Sequence, residues 1–341
     1  MAVIEARGLG KSYAGKPAVT DLSFDVHPGS VTGFLGPNGA GKSTTMRLML
    51  GLDRGAGSTT FDGLPFTSLH HPMRHVGSLL EAKPFHPTRK ARNHLRMLAA
   101  AHDISTKRVD EVLEQLGLTV VATKKPKTFS LGMSQRLGLA AALLGDPHTL
   151  ILDEPANGLD PQGIQWIRQL LQSFAASGRS VFVSSHLLSE MALMADQLVV
   201  VGRGRLLASG PVGDFIRTSR HNSVVVRSPQ ATELADALRE KGATVEALEP
   251  GMVSVTGLEP SAVGDLAFDR GIRIHELAPR VATLEEAFLE ATETSQEYQA
   301  VVAAQDPLGR SAEDPGGDSP GAEDPGDGGL GGTDSTTGGR S

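Results

Sequence analysis

The sequence of 341 residues has no cysteine, and aromatic residues make up only 4% of it. Disulfides and thiolate-bound metal sites are therefore excluded. Because 39% of the residues are still hydrophobic, a core can form, and it should be aliphatic and rich in alanine. No apolar run approaches the roughly 18 residues that a membrane-spanning helix needs. The first residues lack the basic-then-apolar pattern of a signal peptide, so we expect a cytoplasmic protein.

Basic charge is also scarce, and the formal net charge is −7. Residues 306–341 carry eight acidic and two basic side chains, which leaves residues 1–305 close to neutral at −1. This balance argues against nucleic-acid binding. Within residues 296–341, Gly, Asp and Pro dominate, and Ala-Glu-Asp-Pro-Gly occurs twice, at 312–316 and 322–326. We predict a disordered acidic tail there, with a partner-binding tail as the alternative.

Residues 1–217 alternate strand-like and helix-like runs, which favours a parallel sheet flanked by helices. The clearest strand candidates are Val31–Leu35, Thr149–Leu152 and Ser180–Ser184. This α/β pattern predicts one large domain.

Residues 222–294 predict a second, smaller α+β domain with the order βαββαβ of a ferredoxin-like unit. The predicted strands are Asn222–Arg227, Ala243–Leu248, Met252–Thr256 and Ile272–Leu277. The predicted helices are Gln230–Lys241, Ser261–Arg270 and Leu284–Ala291.

A glycine-rich segment fits the phosphate-binding pattern G-x-x-x-x-G-K-[ST] in full, after an apolar strand and before a helix. It reads Gly36, Pro37, Asn38, Gly39, Ala40, Gly41, Lys42 and Ser43, and Thr44 follows. Its amides and the helix N-terminus suit phosphate oxygens, Lys42 suits the β- and γ-phosphates, and Ser43 suits Mg²⁺. The segment alone does not distinguish a GTPase, a small-molecule kinase and a motor ATPase.

A second apolar strand ends in two acids, Asp153 and Glu154. A carboxylate at such a strand end can hold Mg²⁺ through water, which is the role we predict for Asp153. The adjacent Glu154 can polarise an attacking water. A strand that ends in Asp-Glu is common by itself, so this interpretation depends on the neighbouring motifs.

Those motifs give a specific resemblance. Ser130-Leu131-Gly132-Met133-Ser134-Gln135-Arg136 resembles the signature of ATP-binding-cassette (ABC) proteins, and 154–161 resembles the segment from catalytic glutamate to D-loop. His186 stands at the switch-histidine position, and Tyr13 stands where the family has an adenine-stacking aromatic. Residues 3–217 thus resemble an ABC-transporter nucleotide-binding domain.

The resemblance implies a P-loop NTPase fold with a RecA-like core, an antiparallel β subdomain and an α-helical subdomain. It implies ATP and Mg²⁺ as ligands, with Glu154, His186 and Lys42 as catalytic residues. It also implies a homodimer, in which Ser130, Gly132 and Asp160 act on ATP held by the partner copy. A separate membrane permease would place the protein at the inner face of the cell membrane. For Tyr13, a core tyrosine at a strand end is the alternative.

The sequence departs from the family pattern in two segments. Glu81 replaces a glutamine that ligates Mg²⁺ in the family, and Leu131 and Met133 replace the usual signature residues. These variants resemble the drug- and antibiotic-exporter branch of the family, of the bacitracin- or lantibiotic-resistance type. A carboxylate can bind Mg²⁺, but it adds negative charge beside the phosphates. In the family, the surface near Phe85 receives a helix of the membrane subunit. Phe85 could therefore be an exposed apolar contact for that helix, and a core residue is the alternative.

Two other functions remain open at this stage. A soluble ABC ATPase acting on ribosomes or DNA is disfavoured by the single motif set, the absence of a long coiled coil and the low basic charge. A poorly hydrolysing nucleotide-binding regulatory module is the second alternative, suggested by Glu81 and the altered signature. The leading hypothesis is an ATPase subunit that powers export of a drug, antibiotic or peptide.

Overall fold

A computed structural model describes residues 3–81 and 85–292. The predicted acidic tail at 296–341 lies outside the described residues. Within them, the strands form three sheets, and no helix is long and apolar enough to cross a membrane.

The bounds of the elements follow. The strands are β1 (Ile4–Tyr13), β2 (Lys16–Val26), β3 (Val31–Leu35), β4 (Ala56–Phe61), β5 (Val76–Leu79), β6 (Thr149–Leu152), β7 (Ser180–Ser184), β8 (Gln197–Gly202), β9 (Arg205–Pro211), β10 (Ser223–Arg227), β11 (Thr244–Glu249), β12 (Met252–Thr256) and β13 (Glu276–Arg280). The α-helices are α1 (Lys42–Met49), α2 (Pro72–His75), α3 (Ala91–Ala101), α4 (Thr106–Gln115), α5 (Leu131–Leu143), α6 (Pro161–Ala176), α7 (Leu188–Met194), α8 (Val212–Arg217), α9 (Ala231–Glu240), α10 (Pro260–Asp269) and α11 (Leu284–Thr292).

The central sheet has the strand order β5-β6-β7-β3-β8-β9. Its first five strands are parallel and β9 is antiparallel to β8. Every residue of β3, β6 and β7 is buried, as expected for parallel strands covered on both faces. The predicted parallel sheet is confirmed, and its three motif-bearing strands are neighbours whose carboxyl ends meet at one edge.

Two further layers complete the large unit. An antiparallel sheet of order β2-β1-β4 packs on the central sheet through three rings, since the Phe24 ring lies 5.2 Å from Phe182 and 5.8 Å from Phe34. On the other side, α3, α4 and α5 share one hydrophobic core with the central sheet. These layers are the β and α-helical subdomains that the fold class predicts.

The C-terminal strands form an antiparallel sheet of order β11-β12-β10-β13, the ferredoxin-like arrangement. The predicted strand Ile272–Leu277 is wrong, because the strand runs Glu276–Arg280. Ile272 is buried and instead closes the end of α10, with its N–H donating to Ala267 O at 2.8 Å. Pro279 lacks an N–H donor, yet the ladder tolerates it because β13 is an edge strand.

Helix α11 leaves this small sheet and returns to the large unit. It contacts α7 and α8, and its buried Leu284 and Phe288 belong to the hydrophobic core of the central sheet. Helix α11 therefore ties residues 222–292 to the elements that carry the site.

Candidate nucleotide site

The sequence motifs meet at the carboxyl edge of the central sheet. The segment Gly36–Ser43 follows β3, Asp153 and Glu154 follow β6, and His186 lies two residues beyond β7. Because β6, β7 and β3 are adjacent in the sheet, residues more than 100 positions apart in the chain share one crevice. Ligands of open α/β sheets bind in such crevices.

Glycines give the phosphate loop its shape. Gly41, the residue before α1, has φ of 98°, and a Cβ there would lie 2.5 Å from Ala18 O. A Cβ at Gly36 would lie 2.6 Å from Val201 O. The chain therefore reverses tightly and delivers the N-terminus of α1 to the crevice, where its free amides suit an anion.

Lys42 is the buried cation of the crevice, with 8% of its surface exposed. Its Nζ donates to Gly36 O at 2.6 Å and to Pro37 O at 3.3 Å, so the ammonium is held across the loop. Burial lowers the pKa of Lys42, and the negative charges of Glu154 and Asp153 act in the opposite direction. Both carboxylates therefore lie close enough to influence the lysine.

Glu154 and His186 are in direct side-chain contact at the edge of the crevice. His186 Nδ1 lies 2.6 Å from Glu154 Oε2, and the His186 N–H donates to the same oxygen at 3.3 Å. Glu154 has a left-handed backbone with φ of 49°. This uncommon conformation for a glutamate turns the chain immediately after β6.

Ser184 is a site residue that sequence reasoning missed. Its hydroxyl donates to Asp153 Oδ1 at 2.5 Å and accepts the N–H of Glu154 at 2.9 Å. One buried side chain on β7 thus fixes both acids that follow β6. The only signal was the paired serines Ser184-Ser185 at the end of an apolar strand.

Tyr13 ends β1 with 48% of its surface exposed, so the core alternative is wrong. Its hydroxyl donates to Asp53 Oδ2 at 3.0 Å, and Lys11 Nζ lies 5.0 Å from the ring centre. Arg47 grips the same carboxylate with two bonds, Nε at 3.0 Å and Nη2 at 3.2 Å. Arg47 lowers the pKa of Asp53. Sequence reasoning missed both Asp53 and Arg47, which orient the ring.

Ser130 and Asp160 are N-caps of two helices. Ser130 Oγ accepts from Met133 N at 3.2 Å, and Asp160 Oδ1 accepts from Gly163 N at 2.9 Å. With Ser130 as its N-cap, the helix of the signature segment, α5, begins at Leu131. Gly132 therefore lies in its first turn. Within 3–81 and 85–292, no hydrogen bond or ion pair links these caps to the phosphate loop.

Leu131, which departs from the usual signature, packs against Gly158. Gly158 has φ of 72°, and a Cβ at Gly158 would fall 2.0 Å from Leu131 Cδ2. The leucine thus lies against the backbone between the glutamate and Asp160. This contact joins the signature segment to the segment that follows β6.

The remaining predicted residues lie around the crevice. Ser43 is exposed in the first turn of α1, and Glu81 is exposed beyond β5, where its charge acts on Arg47. Phe85 is half-buried against the core and lies edge-on to His94 at 6.1 Å, so the structure combines the two alternatives for it. Among the described residues, no three His, Asp or Glu side chains converge as a metal site.

Comparison with known proteins follows the same division. Residues 19–157 match the family described as ABC transporter, and residues 222–285 match a domain of unknown function (DUF8746). An uncharacterized ABC transporter ATP-binding protein of Bacillus subtilis, YhcH, is 38% identical over 87% of this chain and 98% of its own length. The bacitracin transport ATP-binding protein BcrA of Bacillus licheniformis is 40% identical over 64% of this chain and 72% of its own.

Solved structures agree with these relatives. An ATP-binding subunit of an ABC transporter is 27% identical, with a TM-score of 0.58 over 63% of this chain and 92% of its own. A dimeric post-hydrolysis cassette with ADP and phosphate shares the fold, with 21% identity and a TM-score of 0.56 over 61% of this chain and 98% of its own. The chain belongs to the ABC transporter ATP-binding proteins and is an ATPase subunit of that family.

Proposed function

We propose that this chain hydrolyses ATP at the crevice and that the work drives a separate membrane subunit. The observation that carries the proposal is the contact of 2.6 Å between Glu154 and His186 beside the buried Lys42. Lys42 binds the β- and γ-phosphates, and Glu154 orients the attacking water while His186 holds its carboxylate in place. The residues from Gly36 to Thr44 cradle the phosphates through their amides.

Mg²⁺ suits the oxygens available at this edge. At nucleotide sites, Mg²⁺ is held by one or two carboxylates with phosphate oxygens and water, so a complete protein cage is not needed. Ser43, Asp153 and Glu81 are the residues that would hold it, and the Ser184 hydroxyl already orients Asp153. The ion neutralises charge on the phosphate oxygens when bound.

A second copy of the chain completes the site in this proposal. Ser130 and Gly132 at the start of α5, and Asp160 at the start of α6, offer polar groups that do not bond to their own phosphate loop. Helix N-termini favour a phosphate. Two chains arranged head to tail would therefore each hold ATP between one loop and the partner's α5.

The capping role of Ser130 allows a sharp test. Ser130→Asp keeps a good N-cap but places a carboxylate where the partner's γ-phosphate would lie. We expect the ATP affinity of the monomer to stay within about twofold, while ATP-driven dimerisation is lost because like charges repel. Titration with a fluorescent ATP analogue and size-exclusion chromatography would measure the two properties.

The matched control is Ser105→Asp. Ser105 caps α4 in the same way, accepting from Arg108 N at 3.3 Å, and it has no place in the proposed dimer. It should leave dimerisation unchanged. Weakened ATP binding by the Ser130→Asp monomer would show that Ser130 acts within its own chain.

The ring of Tyr13 is the proposed stacking surface for the adenine of ATP. Stacking of a base on an aromatic ring contributes about 1–3 kcal/mol, so Tyr13→Ala should raise the KM for ATP by roughly 5- to 150-fold. Asp53→Asn weakens the anchor of the ring, and we expect an increase of a few-fold in KM with kcat unchanged. Asp25→Asn, which removes the exposed Arg7–Asp25 ion pair, is the control. Unchanged KM in Tyr13→Ala would exclude stacking.

The proposed cargo is a drug, antibiotic or peptide that leaves the cell. The support is the bacitracin transport protein named above and a lantibiotic transport ATP-binding protein of Streptococcus pyogenes, 35% identical over 60% of this chain. The half-buried Phe85 is the proposed contact for a helix of the permease at the inner face of the membrane. Reconstitution with a candidate permease should stimulate ATPase activity, and absence of any permease-dependent stimulation or peptide movement would contradict the proposal.

A further inference from the structure

Two segments of the helical layer bring five basic side chains onto one surface. The N–H of Ala91 donates to Lys124 O at 3.1 Å, and the N–H of Lys127 donates to Pro87 O at 3.0 Å. These bonds hold residues 87–91 alongside residues 124–127. We call the five residues the basic patch: Arg89, Lys90, Lys124, Lys125 and Lys127.

The charges of the basic patch are available to a partner. Its four lysines are exposed and Arg89 is half-buried, with Nη1 on Met97 Sδ. In the described part of the chain, none of the five forms an ion pair, whereas the nearby Arg92 binds Asp110 at 2.9 Å. Burial lowers the pKa of His94, and the charge of Arg89 acts in the same direction. The surface therefore carries uncompensated positive charge.

The chain itself contains a segment of opposite charge. Residues 311–339 contain seven acidic residues and no basic one, and four of the acids lie in the two Ala-Glu-Asp-Pro-Gly copies. This segment begins 19 residues after Thr292, the end of α11. An extended chain of that length spans at most about 65 Å, which exceeds the roughly 40–50 Å diameter of a domain of this size. The basic patch is within reach of both repeats.

We propose that the basic patch binds the acidic C-terminal segment, residues 311–339 of the same chain. Because both partners belong to one chain, the acidic segment has an effective concentration at the basic patch that reaches the millimolar range for short flexible linkers. Weak individual ion pairs are therefore sufficient for binding. Exposed charges are screened beyond about 10 Å at 0.1 M salt, which makes the contact reversible and sensitive to ionic strength. The opposite charges of the basic patch and residues 311–339, and the length of the chain between them, support this contact independently of ATP hydrolysis.

The absence of cysteine permits a direct test by fluorescence energy transfer. Thr123 lies beside the basic patch, and Ser319 lies between the two repeats. In the full chain with Thr123→Cys and Ser319→Cys, a donor and an acceptor dye therefore attach at these two positions alone. Transfer should be high at low salt and fall by at least half between about 50 and 500 mM NaCl. The same loss at low salt is expected when three patch charges are removed, in Lys124→Gln/Lys125→Gln/Lys127→Gln.

The control removes three exposed charges elsewhere, in Lys16→Gln/Arg205→Gln/Lys241→Gln, and should keep the transfer of the parent. Charge exchange gives a further test: reversing the three patch lysines to Glu abolishes transfer, and reversing the four repeat acids (Glu313, Asp314, Glu323 and Asp324) to Lys restores it. Transfer that is indifferent to salt and to the patch would overturn the proposal. The proposal would also be overturned if the chain sedimented with phosphatidylserine vesicles only when the basic patch is intact, while the energy transfer stayed unchanged. That result would show that the basic patch binds lipid.

Discussion

Glu154→Gln is expected to lower ATP turnover by about 100- to 10,000-fold, the range that a positioned general base contributes. The substitution keeps the size of the side chain and its acceptor oxygen toward His186, but it removes the charge that polarises water. Lys42 and the amides of the loop are untouched, so ATP affinity should stay within a few-fold. ATP-bound dimers should accumulate, because the step that separates them is blocked.

Phosphate release and size-exclusion chromatography with ATP would measure both effects. The matched control is Glu190→Gln, which alters a nearby half-buried ion pair with Arg168 at 3.6 Å and should keep normal turnover. Turnover of Glu154→Gln within about twofold of the parent would remove Glu154 from the catalytic role and leave the contact with His186 as structural.

Lys42→Met should weaken ATP binding by about 100-fold or more, because charged hydrogen bonds to phosphate are lost. The same change should leave the protein at least as stable. Burial lowers the pKa of Lys42, so at neutral pH the folded chain holds a charge that the unfolded chain solvates better. This cost is fully present below the folded pKa and disappears as pH rises through the unfolded value, so replacement by an apolar stem relieves it at neutral pH.

Fluorescent-nucleotide titration and thermal unfolding, made on the same preparation, separate these two effects. Lys107→Met, on an exposed lysine of α4, controls for the loss of one surface charge. A variant with lowered Tm would show that the ammonium, through its bonds to Gly36 O and Pro37 O, stabilises the loop. A variant with unchanged ATP affinity would exclude the phosphate role of Lys42.

The sequence predicts the strands at the carboxyl edge of the central sheet well, because they are short apolar runs with polar motifs at their ends. The predicted bounds of β3, β6 and β7 coincide with the observed ones. A fully buried parallel strand is a continuous apolar run without alternating polar residues, so its first and last residues can be identified from the sequence. The motifs then fix which strand ends carry chemistry, and the sheet order brings those ends together.

The predictions that fail or fall short depend on tertiary contacts. The strand predicted at Ile272–Leu277 is displaced because Ile272 serves the end of α10, and its apolar character does not distinguish the two roles. Ser184 gains its importance only from the neighbouring β6, and Asp53 from the ring of Tyr13. Single polar residues of this kind carry no periodicity. Apart from the serine pair at the end of β7, the sequence does not separate them from ordinary surface or strand residues.

The return of α11 to the large unit also escaped prediction. Leu284 and Phe288 give the helix an apolar face, but the sequence does not state which core receives it. Helix α11 therefore connects the small sheet to α7 and α8, and α7 begins two residues after His186. The disorder predicted for residues 296–341 stays a prediction.

Mixing two inactive variants tests most directly whether each ATP is shared between two chains. Lys42→Met lacks a working phosphate loop and keeps Ser130, whereas Ser130→Asp keeps the loop and lacks the partner's donor. In a mixed dimer, one of the two sites combines an intact loop with an intact α5. We predict that ATPase activity reappears on mixing, well above the sum of the separate preparations. Activity equal to that sum, with mixed dimers shown to form, would contradict the shared site.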